Sequence, residues 1–134
     1  MYTTTIEPRV SETDALGHIN NTVIPVWLEA SRHPIFKLFM PDLSFQNWKL
    51  IVVNTNTNYT NEIFFGKEVE IKTQIKKIGN TSFQLYEEIW QYDKRCVDSI
   101  VTYVNYDLNN KEKEPIPLSI RTKLEEHLLE TSST

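Results

Sequence analysis

One long apolar segment, residues 21–40, constrains the fold of this chain more than any other feature. Its apolar side chains recur at the three- and four-residue spacing of an α-helix and cover more than half of the helix circumference. Such a helix must be buried on most sides, so the rest of the chain has to wrap around it. Pro25 suits the first turn, whereas Pro34 removes a backbone hydrogen bond and predicts a kink or break between Ser31 and Pro34.

The other segments carry the two-residue period of half-buried strands, with a hairpin signal at Gly79-Asn80. The pattern predicts strands at residues 2–10, 50–59, 68–76, 82–92 and 96–108, a short amphipathic helix at 118–130, and a frayed end at 131–134. Strands and helices do not alternate, which favours an α+β fold whose last four strands form an antiparallel meander against the long helix. Because the sheet would have open edges, we expect the chain to dimerise.

Length and composition narrow the class of protein. The chain has 134 residues, of which 40% are hydrophobic and 24% charged, as expected for one globular domain over residues 1–134. A net charge of −4 disfavours a nucleic-acid partner. No apolar stretch approaches the roughly 20 residues that cross a bilayer, and the N-terminus lacks the features of a signal peptide. Cys96 is the only cysteine, which fits a reducing compartment, so we expect a cytoplasmic protein.

Polar side chains are crowded into residues 11–21, immediately before the long helix. A carboxylate (Asp14), a glycine (Gly17), an imidazole (His18) and an amide (Asn21) follow one another there, and these are side chains of acid–base chemistry. A carboxylate near the positive end of a helix is stabilised as an anion, and the same end can stabilise an oxyanion. By spacing alone a helix cap is the more common role for Asp14, although it lies about six residues or more before the first predicted turn.

Other candidate residues lie outside this loop. Glu29 is a carboxylate on the mostly apolar helix, where it either pairs with Arg32 three residues later or serves as a second carboxylate of the site. His18, His33 and His127 are scattered without the spacing of metal ligands, so we expect no metal site.

Residues 12–21 (ETDALGHINN) resemble the signature loop of the 4-hydroxybenzoyl-CoA thioesterase-like family. Residues 28–32 resemble that family's helix, 65–69 its lead into the third strand, and 77–83 its hairpin. The resemblance implies a hotdog fold, in which an antiparallel sheet of about five strands wraps around one long central helix, with a short helix at the C-terminal end. It also implies an acyl-CoA thioesterase that needs no cofactor and forms a homodimer or homotetramer with sites between subunits.

The resemblance also implies roles for single residues. The family's catalytic aspartate falls on Asp14, which would attack the thioester carbonyl or activate a water, and Gly17 falls where the chain turns into the helix. His18 would protonate the leaving thiolate or only hold the loop, and Asn21 would close the loop or touch substrate. The phosphates of CoA are assigned to Lys76, Lys77 and Ser82. Lysines at strand ends are more often simply solvated, and the other basic candidates are Lys94, Arg95, Lys111 and Lys113.

Three alternatives stay open. Residues 18–21 are also similar to plant acyl-ACP thioesterases, although Leu16 stands where those enzymes have an additional catalytic asparagine. A hotdog hydratase would carry Asp and His five residues apart, whereas Asp14 and His18 are four apart. A non-catalytic acyl-CoA-binding protein would require a protein partner for any regulatory role.

Overall fold

The computed structural model describes residues 1–129, so the predictions for Glu130 and residues 131–134 lie outside the described part. The helices and strands are, in chain order, β1 (Tyr2–Ile6), α1 (Ile24–Ala30), α2 (His33–Phe39), β2 (Leu50–Tyr59), β3 (Val69–Ile78), β4 (Ser82–Gln91), β5 (Lys94–Asp107), β6 (Glu112–Lys113) and α3 (Leu118–Glu125). Single 3-10 turns lie at Val10–Glu12, Asn21–Val23 and Phe45–Asn47. Within residues 1–129, no helix has the length and apolar character needed to span a membrane.

One curled antiparallel sheet holds the strands in the order β1-β3-β4-β5-β2, with the short β6 paired to β5. The predicted four-strand meander is wrong in one respect, because β2 pairs with β5 and not with β3. Residues 60–68, which join β2 to β3, are too many for a tight hairpin and let the chain cross the end of the sheet. The predicted α+β hotdog architecture itself is confirmed.

The long apolar helix is divided into two helices, as the prolines predicted. Helix α1 ends at Ala30 and α2 begins at His33, with Pro34 in the first turn of α2. The Ser31 hydroxyl oxygen lies 2.6 Å from the carbonyl of Leu28, which also accepts from the backbone N–H of Ser31 at 3.2 Å. Each helix buries its apolar face in a separate core cluster against the sheet.

A buried charged network, not foreseen from the sequence, joins the helices to the sheet. We call it the Glu87 network: Ser31, Arg32, Thr73, Glu87 and Tyr103. Glu87 accepts hydrogen bonds from Arg32 Nε at 2.9 Å and Nη2 at 2.6 Å, and from the hydroxyls of Ser31 at 2.9 Å and Thr73 at 3.0 Å. Arg32 Nη1 donates to the Tyr103 hydroxyl at 3.0 Å. Every charged group in the network is therefore paired, as burial requires.

The turns lie close to the predicted positions. Gly79 N donates to the carbonyl of Ser82 at 2.7 Å, so the two-residue loop is Asn80-Thr81, one residue later than predicted. The turn between β4 and β5 is formed by Tyr92 and Asp93, which have φ values of 52° and 59°. Two successive residues with positive φ are typical of a type I′ hairpin turn.

Candidate active site

The loop of residues 13–19, which we call the Asp14 loop, is closed by backbone hydrogen bonds. Thr13 and Ile19 pair across its base, and Asp14 N donates to the carbonyl of His18 at 2.8 Å. Gly17 adopts a φ of +82°, in the left-handed region that favours glycine. Apart from the two adjacent residues, no atom of the described residues lies within 4 Å of the position that a Cβ on Gly17 would occupy, so the backbone conformation, and not crowding, accounts for glycine there.

Asp14 uses one carboxylate oxygen to hold this loop. Its Oδ1 accepts from the backbone N–H of Leu16 at 2.8 Å and of His18 at 3.2 Å, which is an Asx-turn arrangement. Its Oδ2 accepts no hydrogen bond from residues 1–129, and the residue is exposed. The same carboxylate is thus fixed in orientation through one oxygen and has the other available to water or a ligand.

The His18 ring lies against the segment before β3. It makes a T-shaped contact with Phe64, with ring centroids 4.9 Å apart and planes at 86°, and its Nδ1 lies 3.3 Å from Glu62 Oε1. Backbone bonds reinforce the contact, since Ile19 N donates to the carbonyl of Ile63 at 2.7 Å. No pattern in the sequence indicated residues 60–64 as part of the site, and only the pairing across the fold brings them to the loop.

Hydrogen bonds with the Gln91 side chain of β4 and the Cys96 carbonyl of β5 hold residues 60–65 in place. The Gln91 side chain accepts from Phe64 N and donates to Phe64 O, both at 2.9 Å. The carbonyl of Cys96 accepts from the backbone N–H of Thr60 at 2.8 Å and of Asn61 at 3.2 Å. Burial raises the pKa of the Cys96 thiol, which makes the nucleophilic thiolate scarcer.

Asn20 and Asn21 form the entrance to the helix. The Asn20 side-chain oxygen accepts from Thr22 N at 3.0 Å and from the Thr22 hydroxyl at 2.9 Å, so Asn20 is the cap. The turn Asn21–Val23 then leads directly into α1. Neither the backbone N–H nor the side chain of Asn21 has a hydrogen-bond partner among the described residues. Asn21 therefore offers free donors at the positive end of the helical segment.

Glu12 anchors the start of the loop to α1. Its Oε1 accepts from Arg9 N at 2.7 Å, while its Oε2 accepts from Trp27 Nε1 at 2.9 Å and from the Arg9 guanidinium at 3.1 Å. Burial acts to raise the pKa of this carboxyl, but the hydrogen bonds from Trp27 and Arg9 outweigh it and hold the pKa below its usual value. Glu12 thus stays ionised and structural, with its oxygens already occupied.

An open cavity of about 490 Å³ joins these elements. It brings together three of the predicted site residues, Asp14, His18 and Asn21, and Gly17 shapes the loop beside it. The complete lining comes from the loop, the helix entrance, the segment after β2 and one residue of β5: Asp14, His18, Ile19, Asn20, Asn21, Ile24, Tyr59, Thr60, Asn61, Glu62, Ile63 and Val97.

Glu29 lies outside this cavity. It is exposed near the end of α1 and lines a second, more apolar cavity of about 430 Å³ with Phe36, Trp48 and Tyr103. The predicted pairing of Glu29 with Arg32 is wrong, because Arg32 turns inward to Glu87. A buried guanidinium pairs more strongly with a buried carboxylate than with an exposed carboxylate, because the buried carboxylate must itself be neutralised.

Lys76, Lys77 and Ser82 lie at the opposite end of the sheet. Ser82 pairs with Val104, whereas the cavity is lined by Val97, seven residues earlier on β5. At about 3.3 Å per residue, the two ends of the strand are roughly 23 Å apart. Within one chain these residues therefore do not meet the Asp14 loop.

The sheet order and the apolar helical segment across the sheet define a hotdog fold, with a polar loop at the entrance of the helical segment. The family model of the thioesterase-like superfamily matches residues 8–124. The chain therefore belongs to the thioesterase-like superfamily. No match was found among curated protein sequences.

Solved structures extend this comparison. The structure of a predicted thioesterase from Bacillus stearothermophilus is 49% identical, covers 98% of both chains and superposes with a TM-score of 0.93. A thioesterase complexed with coenzyme A and Zn from Thermus thermophilus is 21% identical over 91% of this chain and 95% of that one, with a TM-score of 0.81. A 1,4-dihydroxy-2-naphthoyl-CoA thioesterase from Synechocystis is 17% identical over 92% and 94%, with a TM-score of 0.78, and shares the fold.

Proposed function

We propose that this thioester hydrolase is an acyl-CoA thioesterase that releases a free acid and CoA, with Asp14 as the general base. One observation carries the proposal: Asp14 Oδ2 has no partner among the described residues, while two N–H groups hold Oδ1. A base must be fixed in orientation and still have a lone pair for the proton it takes. Asp14 meets both requirements at the mouth of the cavity.

The reaction follows from the residues that line the cavity. Asp14 takes a proton from a water whose oxygen bonds to the thioester carbonyl carbon, and the carbonyl becomes an oxyanion. The free N–H of Asn21, at the entrance of the helical segment, is the proposed donor to this oxyanion, and one such donor is worth roughly 2.7–4 kcal/mol of barrier. The C–S bond then breaks, and the thiolate takes a proton from His18. The acid product then loses its proton to solvent, and Asp14 returns its proton to His18.

The choice of CoA is supported by the relatives and not by contacts within one chain. The Thermus thermophilus thioesterase binds coenzyme A, and the Synechocystis enzyme acts on an acyl-CoA. We keep Lys76, Lys77 and Ser82 as the proposed phosphate-binding residues for a site that a second subunit completes. An acyl carrier protein as the substrate is the alternative that the experiment below separates.

A second subunit is part of the proposal. The outer edge of β2 has no strand partner within residues 1–129, and its Val52 and Val53 are 45% and 57% exposed. Open, apolar edges are usually covered. We propose a homodimer, or a tetramer of two dimers, and a cytoplasmic location in keeping with the single free cysteine. Sedimentation at several concentrations tests the assembly, and a monomer at micromolar concentration would contradict it.

The activity is tested by following free thiol with a panel of thioesters. The panel pairs short, long and aromatic acyl groups, each carried by CoA, by pantetheine and by an acyl carrier protein. We expect turnover of at least one acyl-CoA, and a fall in kcat of about 10²–10⁴-fold in Asp14→Asn. Absence of turnover throughout the panel, or full activity in Asp14→Asn, would contradict the proposal. Turnover confined to the carrier-protein thioesters would assign the protein substrate instead.

A further inference from the structure

The surroundings of the His18 ring include a carboxylate that the proposed role of general acid does not use. Glu62 Oε1 lies 3.3 Å from Nδ1 of the ring, Phe64 makes a T-shaped contact with it, and the His18 side chain is 27% exposed. Its other nitrogen, Nε2, has no hydrogen-bond partner within residues 1–129. The charged groups that line the cavity beside the ring are Glu62 and Asp14, both carboxylates.

Glu62 projects from an anchored stretch of backbone. Before it, Asn61 N donates to the Cys96 carbonyl at 3.2 Å. After it, Ile63 is buried and its carbonyl accepts from Ile19 N at 2.7 Å. The carbonyl of Glu62 itself lies 3.8 Å from the Cys96 sulfur. The backbone that carries Glu62 is therefore held on both sides, which places the start of its side chain beside the ring.

We propose that Glu62 is a positioning residue: it accepts the Nδ1–H of His18 and so leaves Nε2 to serve the leaving sulfur. This inference rests on the proposed thioesterase function. An exposed pair of this kind contributes little to stability, so the consequence of the contact lies in the tautomer and orientation of the ring. A carboxylate on one ring nitrogen fixes which nitrogen faces the reaction.

The proton transfer balances through the two ring nitrogens. Protonated His18 donates from Nε2 to the thiolate as the C–S bond breaks, and the sulfur leaves as a thiol. The ring becomes neutral and keeps its proton on Nδ1, where Glu62 accepts it. The proton that Asp14 took from water then restores Nε2–H, directly or through solvent.

Three residues at position 62 separate charge from hydrogen bonding. Glutamate supplies both, Glu62→Gln keeps only an acceptor, and Glu62→Ala removes both. Glu114→Ala is the control, because it removes another glutamate from a surface contact, 3.7 Å from Lys49, away from the cavity. Each protein is assayed on one acyl group carried by CoA and by an aryl thiol, whose thiolate leaves without a proton. The ring of His18 is followed by its ¹⁵N shifts.

We expect kcat on the CoA thioester to fall about tenfold in Glu62→Ala and less in Glu62→Gln, below the 10²–10⁴-fold effect of losing the acid itself. The deficit should disappear on the aryl thioester, and KM should not change. The ¹⁵N shifts should show the Nδ1–H tautomer of neutral His18 in the parent and in Glu62→Gln, and a mixture in Glu62→Ala. Glu114→Ala should behave as the parent.

The outcomes distinguish this proposal from the function on which it rests. An unchanged tautomer in Glu62→Ala overturns the positioning role even if the enzyme is active. An equal deficit on both thioesters overturns it too, because the loss would then be structural. If the parent hydrolyses no thioester, the catalytic assignment fails for both residues, while the ¹⁵N shifts still decide whether Glu62 holds the ring.

Discussion

The Glu87 network and the Asp14 loop both combine carboxylates with hydrogen-bond donors, but they use them differently. Glu87 is fully buried, and both of its oxygens are occupied by Arg32, Ser31 and Thr73. Asp14 is exposed, and one of its oxygens has no partner among the described residues. A polar group in the interior must be satisfied by the protein, whereas one at the surface can exchange water for a ligand. The difference fits a stabilising role for the first cluster and the chemical role proposed for the second.

The largest expected difference between the clusters is in stability. Glu87→Ala leaves the Arg32 guanidinium buried without its counter-charge, and we expect the free energy of unfolding to fall by about 3–5 kcal/mol. Asp14→Ala removes one exposed turn and should cost about 1 kcal/mol or less. Urea denaturation of both variants measures this. Glu70→Ala, which loses an exposed contact with Lys72 at 3.7 Å, is the control. Equal losses for Glu87 and Asp14 would remove the distinction.

A smaller loss of stability is expected for Gly17→Ala, which should also lower activity. Gly17→Ala places a side chain at φ +82° and should cost about 1–2 kcal/mol, while displacing the Asp14 loop and lowering kcat. Gly66→Ala carries comparable strain at φ +102° outside the loop. Denaturation curves should therefore be similar for the two variants, and kcat should fall more for Gly17→Ala. The reverse order of activities would show that the loop tolerates displacement.

The pH dependence of stability probes Glu12, which is structural although it belongs to the catalytic segment. Its carboxyl has a lowered pKa in the folded protein, so its contribution is present above the unfolded pKa and is lost as the pH falls through the folded value. At pH 7, Glu12→Gln should be less stable than the parent by about 1–2 kcal/mol. The difference should begin to shrink as the pH reaches the unfolded pKa of about 4.3 and should vanish below the lowered folded pKa. A constant difference between pH 7 and pH 3 would exclude the charge as its source.

The smallest effect is expected at Glu29. The carboxylate is exposed, has no ion pair within residues 1–129 and lines the second cavity, so Glu29→Gln should change kcat/KM by less than about threefold. Steady-state assays of Glu29→Gln and Asp14→Asn side by side compare the two losses in kcat/KM. A loss as large as that of Asp14→Asn would contradict this expectation and would indicate that a second subunit brings Glu29 to the site.

Local sequence patterns predicted most of the elements. The strand periods gave the positions of β2 to β5 within a few residues, and Pro34 gave the division of the helix. The order of Asp14, Gly17, His18 and Asn21 indicated the loop, because residues that close a turn and enter a helix are neighbours in the chain. Such features depend on contacts within a few residues, which the sequence contains directly.

The tertiary structure decided which distant segments meet. The pairing of β2 with β5 depends on the sheet as a whole, and it brings Glu62 to His18 across the fold. Arg32 pairs with the buried Glu87 and not with Glu29, which is nearer in the sequence, because the energy of an ion pair depends on burial. No local sequence pattern contains that information. The sequence by itself determined the elements and the polar loop, whereas only the folded sheet determined the partners of their charged side chains.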